Sequence, residues 1–226
     1  VWWLLKQIYN KDLMYKGYTI QPYSPKAGTG LSSHEVNQPG SYRDVTDTTI
    51  VAQFKTKPES LPNFLQGFGD IHVLAWTTTP WTLPANQAVS VHPEMEYDLI
   101  QTGKGLLILA HELADATLKR YGEESTKLLG SCKGIALKGL SLQHPFDHRQ
   151  VPVICGEHVT TDAGSGLVHT AAAHGNDDWL VMRANFPNEK PRVLIGGDCK
   201  FFTSQLVEFE AIRGLTRQDA NKVILA

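Results

Sequence analysis

Two stretches of the chain gather side chains able to do polar chemistry. The first is Thr77-Thr78-Thr79, which ends an apolar, strand-like run over 71–76 and is followed at once by Pro80 and, four residues on, Pro84. Proline forbids a regular helix or central strand beyond that point, so the hydroxyls are left at a strand end. β-Branching restricts χ1, which lets the three groups hold fixed directions at low entropic cost. The second stretch is Gly164-Ser165-Gly166-Leu167-Val168-His169, running on through Ala171, Ala172, Ala173 and His174 to Asp177 and Asp178. Small residues there permit close backbone approach. His169, at a strand end, is suited to polarise or order water, and Asp178, in the first turn of a following helix, to bind an ammonium group. Each also has a plain structural use. Threonines suit a strand edge before a rigid turn, histidines satisfy buried backbone acceptors, and the aspartates complement the positive end of a helix.

Other chemistries are served less well. Ser165 with His169 and an aspartate has the residue types of a hydrolase triad, but Gly164-Ser165-Gly166 lacks the Gly-x-Ser-x-Gly elbow. His169 and His174 have no zinc-binding frame around them, so no metal is expected. Gly28 and Gly30 lack the Lys-Ser/Thr that completes a phosphate loop and read as a turn. Cys132, Cys155 and Cys199 are widely spaced and odd in number, which fits free thiols rather than a disulfide framework.

The elements that must position these residues are mostly strands. Strands are expected over 18–23, 71–76, 88–92 (stopped by Pro93), 151–155, 166–170 and 192–195, with a hairpin-like pattern over 42–56, a connection over 58–69 and a hairpin joining 97–101 to 106–110 around Gly103. The stretch 125–140 returns to strands, and 143–150, with Pro145 and Asp147, is an irregular excursion. Amphipathic periodicity predicts helices over 1–16, stopped by Gly17, and over 111–121, stopped by Gly122; another helix is expected over 176–185. Thr216 with Asp219 marks the start of a final helix. The result is a mainly β chain with peripheral helices, an α+β class.

Composition narrows the class of protein. With 226 residues, 42% hydrophobic and 19% charged, the chain buries a full core as one domain. Lys+Arg 21 against Asp+Glu 23 gives a net charge of -2, which disfavours wrapping of nucleic acid by electrostatics alone. No apolar stretch is long enough to span a bilayer, so no membrane partner and a cytoplasmic location are expected. The abrupt start without an initiator Met suggests a piece of a larger protein.

Trp76-Thr77-Thr78-Thr79-Pro80-Trp81-Thr82-Leu83-Pro84-Ala85-Asn86, together with Gly164-Ser165-Gly166-Leu167-Val168-His169-Thr170-Ala171 and the later Asp178, closely resembles the editing insertion (connective peptide 1) of isoleucyl-tRNA synthetases, class I aminoacyl-tRNA synthetases. Ser32-Ser33-His34-Glu35-Val36 adds to the likeness, which covers nearly the whole chain. The valyl and leucyl enzymes resemble Thr-Thr-Arg-Pro at the first motif instead. The resemblance implies a single editing domain over 1–226 with a β-barrel-like core, and helices at 1–17 and 216–226 near the insertion boundaries. It implies hydrolysis of valine mischarged onto isoleucine tRNA, with valyl-adenylate editing in the full enzyme. The partners would be the 3′ aminoacylated end of that tRNA, through its valine moiety and terminal adenosine, and the rest of the parent synthetase.

The same resemblance carries Thr79, His169 and Asp178 onto the catalytic centre and Thr77, Thr78, Trp81, Asn86 and Asp178 onto substrate binding. Asp178 would take the ammonium group, Thr79 and His169 would shape the amino-acid end and order water, Thr77, Thr78 and Asn86 would meet the adenosine or ester, and Trp81 would form an apolar wall. No cofactor or metal is implied for editing. ATP and Mg belong only to the synthetic domain of the parent, whose His-Ile-Gly-His and Lys-Met-Ser-Lys-Ser signatures are absent, so no ligase activity is expected. Ala172 stands where relatives commonly have Pro, Ser165 where they have Thr, and Ser24 and Ala27 where many have a Cys-x-x-Cys pair. The other classes of reading are an inactive module that binds the tRNA acceptor end and a stand-alone small-ester hydrolase.

Overall fold

A computed structural model describes residues 1–57, 59, 62–123, 125–202 and 207–226. Its strands are β1 (Tyr23–Ser24), β2 (Thr29–Gly30), β3 (Ile50–Thr56), β4 (Ile71–Thr77), β5 (Ala88–Val91), β6 (Glu96–Thr102), β7 (Gly105–Ala110), β8 (Lys127–Lys133), β9 (Ser141–Gln143), β10 (Gln150–Cys155) and β11 (Leu167–Thr170). The α-helices are α1 (Trp2–Tyr9), α2 (Ser33–Val36), α3 (Ala114–Arg120), α4 (Asn176–Asn185) and α5 (Arg217–Ile224). No helix among the described residues is long and apolar enough to cross a membrane.

Six strands close on themselves in the order β11-β5-β10-β9-β3-β4, with β4 returning to β11 in parallel through Val168 and Trp76. The fold is a closed six-stranded barrel with peripheral helices. β4 is its branch point. Its first half pairs in parallel with β7 from Ile71 to Val73, which carries β7, β6 and β8 away as an outer extension, while its last residues turn to β11. A strand with neighbours this close on every side must be apolar nearly throughout, and Ile71, Val73, Leu74 and Ala75 are fully buried. Phe54, Leu142 and Val89 of the barrel and Leu107 of the extension join them in one core.

β4, β5, β10, β11, the β6–β7 hairpin and α4 lie where the sequence pattern places them, while β9 occupies 141–143, where no strand is expected. Four expectations need correction. The N-terminal helix ends at Tyr9 rather than Lys16, and Trp2, Trp3, Leu4 and Ile8 are exposed; with no core to meet, amphipathic periodicity does not sustain it. The 42–56 pattern is no hairpin, because 42–49 is irregular and β3 pairs instead with β4 and β9. Residues 18–22 and 192–194 form no strand; Ile195 makes a single bridge to Phe201. Of the connection over 58–69, residues 58, 60 and 61 lie outside the described residues; the rest includes a 3-10 turn at Asn63–Leu65.

Candidate functional site

The two polar stretches meet where β4 and β11 diverge from their pairing. Between them is a cavity of about 190 Å³, with Trp76, Thr77, Thr78, Thr79 and Thr82 on one face and Val168, His169, Ala171, His174 and Asp178 on the other. Thr79 stands just before a 3-10 turn, Pro80–Ala85, which Pro84 keeps from becoming an α-helix. The second face follows β11 into a short turn and then α4, whose third residue is Asp178.

Proton directions in the buried part of the site follow one from the next. Asn86 Nδ2 donates to the Ala88 carbonyl at 2.8 Å, which orients the amide so that its NH2 also faces His169 Nδ1 at 2.8 Å. Nδ1 therefore accepts, and Nε2 carries the ring proton, donated to Thr82 Oγ1 at 2.9 Å. Thr82 gives its own proton to the Thr79 carbonyl at 2.8 Å, so Thr79 Oγ1, 3.2 Å away, is the donor to Thr82. Thr77 Oγ1 accepts the Thr79 amide at 3.1 Å and donates to Thr79 Oγ1 at 3.3 Å. His169 is 5% exposed. Burial pushes its pKa down to about 3, with the nearby His144, His174 and Arg149 adding to the effect. It is a neutral donor with both nitrogens engaged. His174 is likewise pushed down to about 4 by burial.

Asp178 is the one carboxylate lining the cavity among the described residues. Its Oδ1 accepts the Ala171 amide at 2.8 Å, which ties the start of α4 back to the end of β11. Burial pushes its pKa up, and the Ala171 hydrogen bond opposes that rise. Gly175 is needed beside it, since a Cβ there would stand 2.1 Å from Asp178 Oδ2. The turn before β11 is pinned carbonyl by carbonyl: Gly164 accepts from Thr117 Oγ1 at 2.9 Å, Ser165 from the Ala110 amide at 2.9 Å and Gly166 from the Tyr97 hydroxyl at 2.8 Å. Gly166, at φ +75°, has its Cα so close to Ala110 that a Cβ would lie 2.2 Å from the alanine methyl.

Thr77, Thr78, Thr79, His169 and Asp178 are thus brought to one cavity. Trp81 and Asn86 are not. Trp81 stacks edge-on against His174, with ring centroids 5.3 Å apart, and packs toward Phe201 and Phe209 outside the cavity; Trp76 and Val168 supply the apolar surface instead. Asn86 is fully buried behind His169. Ser165, also fully buried, donates to the Leu74 carbonyl, so no nucleophilic serine faces His169. Thr82 and His174 are cavity residues that the motif reading passed over; Thr82 lies three residues after Thr79 on the same short turn, the spacing that signals a shared face. Among the described residues no three His, Cys, Asp or Glu side chains converge as a metal site.

No protein-family model matches the chain. It is 42% identical to an isoleucine--tRNA ligase of Dechloromonas aromatica, over 98% of this chain and 24% of the relative, and 46% identical to one of Bacteroides fragilis, over 81% of this chain and 18% of the relative. The chain thus spans about a quarter or less of the length of these relatives. Among solved structures, the editing domain of the cytosolic leucyl-tRNA synthetase of P. knowlesi superposes with a TM-score of 0.58 at 11% identity, over 78% of this chain and 91% of that one. At that identity the likeness is one of fold.

Proposed function

We propose that this chain, which has the fold of a class I aminoacyl-tRNA synthetase editing domain, hydrolyses the ester of valine mischarged onto isoleucine tRNA. The observation that carries the reading is the cavity itself, where one carboxylate faces a row of hydroxyls across an apolar floor. An aminoacyl ester presents an ammonium group, a small apolar side chain and an ester carbonyl, and the three classes of wall match them. Asp178 takes the ammonium group, Trp76 and Val168 pack the side chain, and the Thr77 and Thr79 hydroxyls, turning their protons from Thr79 and Thr82 to the ligand, meet the ester oxygens. Thr78, exposed at the rim, meets the terminal adenosine.

In the reaction water adds to the ester carbonyl, the bond to the ribose oxygen breaks and that oxygen leaves with a proton. His169 does not take the water's proton in this reading, because Asn86 occupies Nδ1 and Nε2–H faces Thr82. Its part is to hold Thr82, and through it Thr79, at a fixed angle to the substrate. Valine and isoleucine differ by one methylene, worth only about 1–3 kcal/mol in a single attractive pocket, so a second cavity that excludes the larger side chain supplies the missing discrimination. Identity of 42–46% to isoleucine--tRNA ligases supports the choice of amino acid and tRNA. Valyl-adenylate, the rest of a parent synthetase, and ATP with Mg at its synthetic domain belong to the same reading. The test is a deacylation assay with valyl- and isoleucyl-tRNA of the isoleucine acceptor: the valyl ester is cleaved and the isoleucyl ester spared. Equal rates for both would overturn the size-exclusion account.

A further inference from the structure

We infer that Arg149, on the loop between β9 and β10, is a positioning residue that sets the conformation of Asn86 and thereby the tautomer of His169. The loop is closed by the Gln143–Gln150 pair and by the His144 amide on the Arg149 carbonyl at 2.9 Å. It backs onto the 3-10 turn that carries Thr82. That turn ends at Ala85, and of its last carbonyls only Leu83 takes an amide of the turn itself, from Asn86, so donors must come from elsewhere. The loop supplies them. His144 Nε2, on a fully buried ring, donates to the Leu83 carbonyl at 3.0 Å. Arg149 Nη2 donates to the Asn86 carbonyl at 2.7 Å and to the Pro84 carbonyl at 3.3 Å. Its Nη1 pairs with Asp147, whose carboxylate is 5% exposed and also stands 2.8 Å from His144 Nδ1.

From Arg149 the path to the cavity is short: Arg149 holds the Asn86 main-chain carbonyl, the Asn86 backbone so placed aims Nδ2 at both the Ala88 carbonyl and His169 Nδ1, and His169 Nε2 reaches Thr82. A guanidinium is suited to this place because its planar fork serves a carboxylate and two carbonyls at once, which an ammonium on a single stem does not. A second cavity, of about 360 Å³, lies on the other side of Asn86 and reaches Arg149. Small solutes therefore have a route to the guanidinium that does not pass through the site.

The test uses Arg149→Ala and Arg149→Lys, with the activity arm resting on the proposed deacylation and a second arm that does not. In the second arm, nitrogen NMR of His169 reads the tautomer directly: a single Nε2–H form in the parent protein, and a mixed or reversed form in both variants. In the activity arm, Arg149→Ala lowers kcat by about tenfold to a hundredfold with KM nearly unchanged, the size expected for loss of a positioning contact. Millimolar guanidinium, entering by the second cavity, restores part of that loss. Arg149→Lys keeps the charge beside Asp147 and is the deciding variant if the alanine form does not fold. Variants with parental His169 signals, and with kcat lowered only in proportion to folded protein, would overturn the inference. If the parent protein itself cleaves no valyl ester, the proposed function falls, and the His169 signals alone decide the role of Arg149.

Discussion

The two turns that flank the cavity are pinned alike, by three carbonyls each, but with different chemistry. At 164–166 the donors are the Thr117 hydroxyl, the Ala110 amide and the Tyr97 hydroxyl, all neutral. At 83–86 they are an imidazole and a guanidinium, with Asp147 as counter-charge. Glycine accounts for the difference. Around Gly164 and Gly166 the main chain comes close enough for another amide and for neutral hydroxyls to reach, whereas the carbonyls at the end of the proline-containing turn are met by side chains of the 143–150 loop. The charged arrangement is still insensitive to ordinary pH: although burial opposes it, His144 and Arg149 together hold the Asp147 carboxyl well below the usual carboxylate range. The two faces of the cavity differ in the same sense, hydroxyls on the β4 side and the carboxylate on the α4 side.

The sharpest way to break that division is Asp178→Asn. It keeps the acceptor for the Ala171 amide and removes the charge, so valyl-tRNA deacylation falls in kcat/KM by about a hundredfold or more, with a small change in thermal unfolding. Normal activity in a folded variant would assign Asp178 to capping alone. Acid comes next. His169 and His174 are neutral in the native state, with pKa values pushed down to about 3 and about 4, while the unfolded chain protonates them near 6.5. The unfolded state binds more protons, so stability falls as pH drops below about 6.5, by about 1.4 kcal/mol per pH unit for each fully coupled histidine. Asp178, with a raised pKa, acts in the opposite direction. Denaturant midpoints at pH 7 and 5 in an Asp178→Asn, His111→Gln background read the buried histidines together, His144 among them, and equal midpoints would contradict their burial as neutral rings.

Tyr97→Phe probes the neutral turn. It removes the donor to the Gly166 carbonyl and the acceptor of the His92 amide, costing about 1–3 kcal/mol in urea unfolding while the activity of folded protein is kept. The smallest effect is on the outer extension. His111, exposed and 2.7 Å from the buried Asp98 carboxylate, has a raised pKa from that hydrogen bond and charge. Its contribution is fully present below the unfolded value and lost as pH rises through the folded one. His111→Gln therefore lowers the melting temperature slightly at pH 5.5, not at pH 9, and leaves deacylation unchanged.

What could be read from the sequence tracks how local its cause is. α4 begins and ends at the residues expected, Asn176 and Asn185, and β6 with β7 follow from a two-residue turn at Gly103 and Lys104. The threonines and the stretch from Val168 to Asp178 were legible as one site because both stand at strand ends with unusual composition. The partner of β3 was not, because strands paired across long stretches of chain leave no local mark. The same holds for Asn86 and Trp81: sequence places them beside the threonines, but which side of a 3-10 turn faces a cavity is decided by packing. The excursion over 143–150 reads as a mere irregularity until its donors are seen to meet the carbonyls of 83–86.

The barrel's seam has a consequence for assembly. β4 closes against β11 at Val168 and Trp76, and the Ser165 hydroxyl that locks the seam reaches Leu74, ninety-one positions earlier. Nearest-neighbour hairpins such as β6 with β7 form on short loops, but this seam requires one of the longest closures in the chain, and such contacts are slow to nucleate. The cavity lies along that seam. Its two walls therefore come together only once β11, the last barrel strand in the chain, has joined β4, and a nascent chain short of that point carries the threonine motif without possessing a pocket.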